Sequence, residues 1–211
     1  MLVTGASRLS PLAAPHPHPR LRVETVSPFE HISVLISIVL GLGLTQLLMG
    51  VHRLVQARGR VKVYWLSLVW VALIFMAQVE WWWASYTLRD QTVWNFFYFV
   101  FVLLSPVSLY LAAAFVLPEI EPGEQYDLRT HYYRSHGWFF AFVALGPALD
   151  AIRRGVQVGS WSDPGTLSNA VSAALLIVLA VSRRERYHIA VTAIVASVFL
   201  WFIVSAALSL R

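Results

Sequence analysis

The sequence predicts an all-α fold, a polytopic membrane protein built as a bundle of six transmembrane helices in a single domain. Hydrophobic residues make up 58% of the 211 positions and charged residues 13%, against about 45–50% and about 25% in soluble domains. The apolar residues also gather in blocks of about 20, the length at which a helix crosses about 30 Å of hydrocarbon. Lipid is therefore the expected solvent of this chain.

Composition excludes several classes of protein. The chain has no cysteine, which excludes disulfides, iron–sulfur clusters, thiolate zinc sites and covalently attached haem. The net charge is +5, but the basic residues lie in short connections between apolar blocks, so no basic stripe for nucleic acid is expected. Lys62 is the only lysine and lies outside the spans, which excludes a retinal Schiff base within them. The preference for arginine suggests a high-GC bacterial genome.

Residues 1–28 predict a disordered tail. They contain five prolines and the motif PHPHP, which favour extended chain. They lack the apolar run of a signal peptide. The membrane domain is expected to cover residues 29–211.

Six apolar segments predict the six helices, and two of them carry additional signals. The fourth is the shortest and contains Gly146-Pro147, which predicts a kink or a break. The fifth has Asp163 as its N-cap and Pro164 at its first helical position. The predicted spans are 29–54, 64–88, 93–117, 136–153, 165–182 and 187–210.

The arginines predict the orientation. The first, third and fifth connections hold nine Arg and Lys residues, and the other short connections hold three. Because cytoplasmic loops are enriched in positive charge, both termini are expected to face outward from the bacterial inner membrane. The third connection, residues 118–137, is the longest. From Glu124 onward it predicts a short interfacial helix, which is either a collar at the headgroups or a contact for a cytoplasmic partner.

The segment QVEWWW, residues 78–83, places a carboxylate inside an apolar run. Ionisable groups within a span usually face the bundle or a water-filled cavity, because exposure to lipid costs several kcal/mol. Glu80 is therefore the leading candidate for binding a proton or an ion. The alternative is a buried group hydrogen-bonded to Gln46 or to a tryptophan N–H. The three tryptophans are expected in the outer aromatic belt, with one packed beside Glu80 inside the bundle.

Three further ionisable residues fall toward the same predicted leaflet as Glu80. Glu30 and His31 begin the first helix, and Asp150 lies near the outer end of the fourth. Together with Gln46 near the bilayer midplane, they are candidates for an outward-facing acidic site. The alternatives are a polar first turn for Glu30 and His31, and ion pairing of Asp150 with Arg153 or Arg154.

The first helix carries small residues at four-residue spacing. Such a stripe lets two helix backbones approach closely, so we expect a helix contact, with a pore lining as the alternative. The stripe consists of Ser33, Ser37, Gly41 and Thr45.

Two histidines leave a haem alternative open. His52 ends the first helix and His188 opens the sixth, and histidines on different helices are able to ligate a b-type haem. Loop histidines near the headgroups are the commoner case. No motif for a zinc protease, a phosphate loop or a nucleophile elbow is present.

The first two spans resemble a group of small bacterial integral membrane proteins of uncharacterised activity. The resemblance is carried by EHISVLISIVLGLGLTQLL followed by ARGRVKVYW, and continues through LLSPVSLYLAAAFVLPE to HYYRSHGWFF. It covers about two thirds of the chain. It implies a bacterial inner-membrane protein with six helices and transfers no site residues.

Two function classes follow from these observations. The first is an ion or proton channel, or an ion-coupled transporter of a small solute, with Glu80 in an outward-facing acidic cavity. The second is a non-catalytic membrane subunit that interacts through helix packing and the 118–137 connection. An enzyme is the less favoured third class. In either leading class the chain contacts membrane lipids, and we expect a homo-oligomer.

Overall fold

A computed structural model describes residues 28–91, 94–121 and 123–209, with the side chains of residue 28, of residues 202 and 203 and of residues 205–209 left out. The described chain is nearly all helical. Its α-helices are α1 (Pro28–Gln56), α2 (Trp65–Ala84), α3 (Phe96–Val116), α4 (Leu128–Val158), α5 (Pro164–Val181) and α6 (Glu185–Ser209). A 3-10 helix, Ser85–Asp90, extends α2, and two short strands are β1 (Val61–Lys62) and β2 (Tyr126–Asp127). The predicted tail, residues 1–27, lies outside the described residues.

Within residues 28–91, 94–121 and 123–209, four helical segments are long and apolar enough to cross a membrane. They are Phe29–Gln56, Trp65–Asp90, Phe96–Val116 and Pro164–Val181. Large apolar side chains also cover the outward faces of the helices, including Phe97, Val156 and Val181 at 83%, 70% and 81% exposure. A surface of this kind is stable in lipid and costly in water. Together these features indicate a membrane protein.

Local signals set several helix ends, and the sequence predicts one of them, the start of α5. The Asp163 carboxylate accepts a hydrogen bond from the Thr166 backbone N–H at 3.1 Å, and Pro164 is the first residue of α5. This confirms the predicted start of the fifth helix. At α3, the Asn95 side chain accepts from the Tyr98 N–H at 2.8 Å. Gly159 ends α4 with a positive φ of 68°, which glycine adopts without steric cost.

The fourth helix departs most from its prediction. It begins at Leu128 instead of residue 136, because the Asp127 side chain caps it by accepting from the Arg129 N–H at 2.9 Å. Residues 128–137 are thus the first turns of α4, and the separate interfacial helix predicted from Glu124 onward is wrong. The helix also continues unbroken through Pro147. Hydropathy alone missed the start because those first turns are helical but polar.

The helices pack into a closed bundle. α1 contacts α2 and α3, α2 also contacts α3, α4 and α6, α3 contacts α4, α4 contacts α5, and α5 contacts α6. The largest buried side chains include Trp70 of α2 and Phe140 of α4, whose rings meet edge to face at a centroid distance of 5.0 Å. The site lies in the space that helices α2 to α6 surround.

One end of the bundle is held together by contacts between its connections, and we call it the tied end. β1 pairs in parallel with β2, with Val61 opposite Tyr126, so the first connection meets the third. At the start of α4, Arg129 forms an ion pair of 2.7 Å with Glu185 at the start of α6. The first, third and fifth connections therefore share one end, as the alternation of positive charge predicts.

Candidate functional site

A cavity of about 420 Å³ lies between helices α2 to α6. It extends along α2 from Trp70 past Ala84 into the 3-10 helix, where Ser85 and Leu88 line it. From Trp70 to Ala84 the helix axis rises about 21 Å at 1.5 Å per residue. The cavity therefore runs from deep in the bundle to the end opposite the β1–β2 pair.

Glu80 lines this cavity from α2. It is partly buried, and among the described residues its carboxylate makes no hydrogen bond and no ion pair. Trp81 lines the same cavity, whereas Trp82 and Trp83 are 54% and 72% exposed on the outside of the bundle. One tryptophan of QVEWWW thus lies inside with Glu80, as the sequence predicts, and its neighbours face outward.

Asp150 lines the cavity from α4 and is fully engaged. Its Oδ1 accepts two hydrogen bonds from the Arg153 guanidinium, at 2.6 Å from Nη2 and 3.0 Å from Nε. Its Oδ2 accepts one from Asn169 Nδ2 of α5 at 3.2 Å. Arg154, the other candidate partner, instead pairs with Asp163 at 2.6 Å. The Asp150 charge is therefore neutralised by Arg153 within the cavity.

The remaining wall is mostly apolar and aromatic, with a few polar groups. Ser105 and Ser172 contribute hydroxyls, and Trp70, Phe101 and Phe199 contribute rings. Counting Glu80, Asp150 and Arg153, the lining carries a formal charge of −1. One carboxylate with no hydrogen bond or ion pair to the described part of the chain therefore faces a mostly apolar chamber.

Two prolines interrupt the helical hydrogen bonding of residues that line the cavity. Pro106 lies inside α3 and Pro147 inside α4. Because proline has no N–H, the carbonyl four residues earlier loses its helical donor. Those residues are Val102 and Val143, and both line the cavity.

The other predicted site residues lie elsewhere. Glu30 and His31 are exposed at the start of α1, and Gln46 is partly buried on the same helix. None of the three is among the residues that line the cavity. Of the five ion-binding candidates, the structure brings together Glu80 and Asp150.

The small-residue stripe of α1 faces away from the rest of the chain. Ser37, Gly41 and Thr45 are exposed and Ser33 is partly buried, and a Cβ on Gly41 would meet nothing within 4 Å. Close helix approach inside the chain uses Gly43 instead, where a Cβ would collide with the Gln78 side chain of α2. The stripe is thus available to lipid or to a second copy of the chain.

A buried aromatic and histidine cluster joins α4 to α6, and the sequence reasoning missed most of it. His188 is fully buried, and its Nε2 lies 2.8 Å from the Ser182 carbonyl oxygen. A carbonyl only accepts, so Nε2–H donates, and in the neutral ring Nδ1 accepts from the Tyr132 hydroxyl at 2.9 Å. The histidines and tyrosines of HYYRSHG were the signal for it.

This hydrogen bonding does not fit the haem alternative. Both ring nitrogens of His188 are engaged, so neither is free to ligate iron without breaking a buried hydrogen bond. His52 lies exposed on α1.

Tyr64 links this cluster to the tied end of the bundle. Its hydroxyl donates to Glu185 Oε1 at 3.0 Å and lies 3.3 Å from the Tyr133 hydroxyl. Burial, followed by the hydrogen bonds to Tyr133 and Glu185, raises the pKa of Tyr64 far above its usual value. Tyr64 therefore remains a neutral donor across the physiological pH range.

A scan against protein-family models, a search of curated proteins and a search of solved structures each found no match for this chain.

Proposed function

We propose that this chain is a six-span protein of the bacterial inner membrane that transports a proton or a small cation, or couples such an ion to a solute, through the cavity around Glu80. The observation that carries the proposal is the Glu80 carboxylate inside a cavity of the bundle, where no other described residue forms a hydrogen bond or an ion pair with it. A carboxylate at this depth costs free energy unless a proton, a cation or a hydrogen-bond donor compensates it. A group with no stabilising partner is best explained by what it binds.

The proposed orientation makes this cavity outward-facing. The connections and helix starts at the tied end carry Arg58, Arg60, Arg129 and Arg183. We assign this end to the cytoplasm by the positive-inside rule. The cavity extends to the opposite end, beside the 3-10 helix. Both termini are then outside, and Glu80 is reached from the outer leaflet.

The test compares two substitutions of Glu80 in proteoliposomes. Glu80→Gln and Glu80→Leu should both abolish pH-dependent or cation-dependent flux. Because Glu80 has no hydrogen-bond partner among the described residues, neither substitution should lower the free energy of unfolding, and Glu80→Leu should raise it slightly. The matched control is Glu119→Gln, an exposed carboxylate outside the cavity, which should keep full flux. Unchanged flux in Glu80→Gln would remove the basis of the proposal.

A non-catalytic membrane subunit is the second candidate function, because the Asp150–Arg153–Asn169 cluster is self-sufficient and the α1 stripe is outward-facing. In that case the stripe would be the homo-oligomer contact, and the 118–127 connection with the start of α4 would be a contact for a cytoplasmic partner. The two candidates differ in one measurement. A subunit without transport activity leaves flux independent of Glu80, whereas its assembly depends on the stripe.

A further inference from the structure

The central cavity is built for a particular class of cation. Resting on the proposed transport function, we propose that it binds a monovalent organic cation, a positively charged nitrogen attached to an apolar body. Four features of the wall support this assignment: its charge, its ligand set, its apolar and aromatic surface, and its volume.

The charge of the wall matches a single positive charge. Both oxygens of Asp150 accept hydrogen bonds from Arg153 or Asn169, and the Asp150–Arg153 ion pair is neutral as a whole. Glu80 is the carboxylate that remains for a ligand. The free carbonyls expected at Val102 and Val143 add partial negative charge without adding a second full charge.

The ligand set is poor for a bare metal ion. Ca²⁺ requires six to eight oxygen ligands, and Mg²⁺ requires an octahedral set, whereas the described residues contain no group of three or more His, Cys, Asp or Glu side chains. A small inorganic cation also loses its hydration in an apolar chamber. An organic ammonium is weakly hydrated, so it loses less on entering.

The aromatic and apolar surface matches the body of such a ligand. Trp81 follows Glu80 directly, and Trp70, Phe101 and Phe199 add rings to the same wall. Aromatic faces attract organic cations, most strongly for tryptophan and where water is excluded. The volume of about 420 Å³ falls within the range of about 300–1,000 Å³ that is usual for small-molecule sites.

Binding of this cation would also be coupled to protons. The Glu80 carboxyl either holds a proton or pairs with the cation, because protonation removes the charge that the cation needs. Each ligand therefore displaces the other from the same group. This competition provides a physical basis for exchange of protons against an organic cation across the membrane.

The test measures binding of benzyltrimethylammonium to the full chain in detergent by isothermal titration calorimetry. Benzyl alcohol, Na⁺ and Ca²⁺ are compared with it, since benzyl alcohol keeps the ring and lacks the charge. Benzyltrimethylammonium should bind at least tenfold more tightly than any of the three, and its affinity should fall as the pH is lowered. Glu80→Gln should weaken it at least tenfold, and Glu119→Gln should leave it unchanged.

The tryptophans provide a second, matched comparison. Trp81→Leu should weaken binding at least threefold and Trp81→Phe by less, whereas Trp82→Leu, on the outside of the same helix, should not change it. Thermal unfolding of each variant shows whether the fold is kept. If Trp81→Leu does not fold, Trp81→Phe takes its place in the comparison with Trp82→Leu.

Equal binding of benzyl alcohol, or equal effects of Trp81→Leu and Trp82→Leu, would overturn the inference. Flux of protons or Na⁺ that depends on Glu80, without benzyltrimethylammonium binding, would overturn the inference and leave the proposed transport function standing. If Glu80→Gln changes neither flux nor binding, both fail.

Discussion

At the scale of single residues, the contact between Gly43 and Gln78 shows how closely α1 and α2 approach. Gln78 is 1% exposed, and neither its Oε1 nor its Nε2 has a hydrogen-bond partner among the described residues. The missing Cβ of Gly43 is what allows this side chain to lie against the α1 backbone. Gly41, one half-turn away, faces open space.

The two glycines therefore give opposite predictions for the same substitution. Gly43→Leu should lower the free energy of unfolding by about 1–3 kcal/mol, because overpacking forces α1 away from Gln78. Gly41→Leu should leave the stability of the monomer unchanged. Thermal unfolding in detergent measures both. A destabilised Gly41→Leu monomer would show that the contact face of α1 has been assigned incorrectly.

Gly41→Leu also tests the proposed homo-oligomer. If the outward-facing stripe is the contact between copies, the substitution should shift the protein from oligomer to monomer without changing monomer stability. Size-exclusion chromatography with light scattering measures this shift.

At this scale the sequence predicted that Glu80 faces the interior of the bundle, and the residues around it were mostly not predicted. A charged residue inside an apolar run can be recognised from the sequence, and burying any charge costs free energy. Whether that charge is paired depends on residues of other helices, as Asn169 of α5 shows for Asp150. The buried hydrogen bond of His188 was not predicted for the same reason, since its partner Tyr132 lies 56 positions away in the sequence.

At the scale of elements, the start of α5 combines a cap with an ion pair. Asp163 Oδ2 accepts from the Thr166 N–H at 3.1 Å and from Arg154 Nε at 2.6 Å. The hydrogen bond from Arg154, followed by the one from the Thr166 N–H, holds the pKa of Asp163 below its usual value. Gly165 leaves space for the Arg154 guanidinium, which a Cβ there would meet.

Substitutions of Asp163 should therefore separate the cap from the charge. Asp163→Asn keeps an acceptor for the helix N–H and loses the ion pair, and Asp163→Ala loses both. The expected order of melting temperatures at neutral pH is wild type, then Asp163→Asn, then Asp163→Ala.

The same carboxylate gives a defined pH dependence. Since its folded-state pKa is lowered, its contribution is complete above the unfolded-state pKa and is lost as the pH falls through the folded-state value. Wild type and Asp163→Asn should converge in melting temperature as the pH falls through that range. A difference that persists at low pH would contradict this account.

Helix starts that depend on local capping were predictable, and those that depend on tertiary contacts were not. The Asp163-Pro164 pair is a signal within neighbouring residues, so α5 begins where expected. α4 is also capped by a neighbouring residue, Asp127, but Asp127 is the last residue of β2 and pairs there with Lys62 of β1, about 65 residues earlier in the chain. Hydropathy detects spans, and the polar first turns of α4 carry no apolar signal.

At the scale of the whole molecule, the first, third and fifth connections lie at the same end of the bundle. Locating one of them relative to the membrane therefore gives the proposed orientation of the whole protein. The chain has no native cysteine, so single cysteines are clean reporters. Gly59→Cys lies in the first connection, and Gln91→Cys follows the 3-10 helix at the opposite end. In intact cells an impermeant thiol reagent should label position 91 and leave position 59 unlabelled. Labelling of 59 with protection of 91 would invert the proposed topology.

The parallel β1–β2 pair has a mechanical consequence. This strand pair acts together with two side-chain contacts, the Arg129–Glu185 ion pair and the hydrogen bond from the Tyr64 hydroxyl to Glu185. These contacts join α2, α4 and α6 to one another at one end of the bundle. Among the described residues, the polar links near the other end, between Asp150 and Asn169 and between Arg154 and Asp163, join α4 to α5 alone. The helices are therefore held together by polar contacts at this end, and they extend about 30 Å away from it. A tilt of about 5° about this end would displace the opposite end of a helix by about 3 Å, so it would change the width of the cavity more at that end than deep in the bundle.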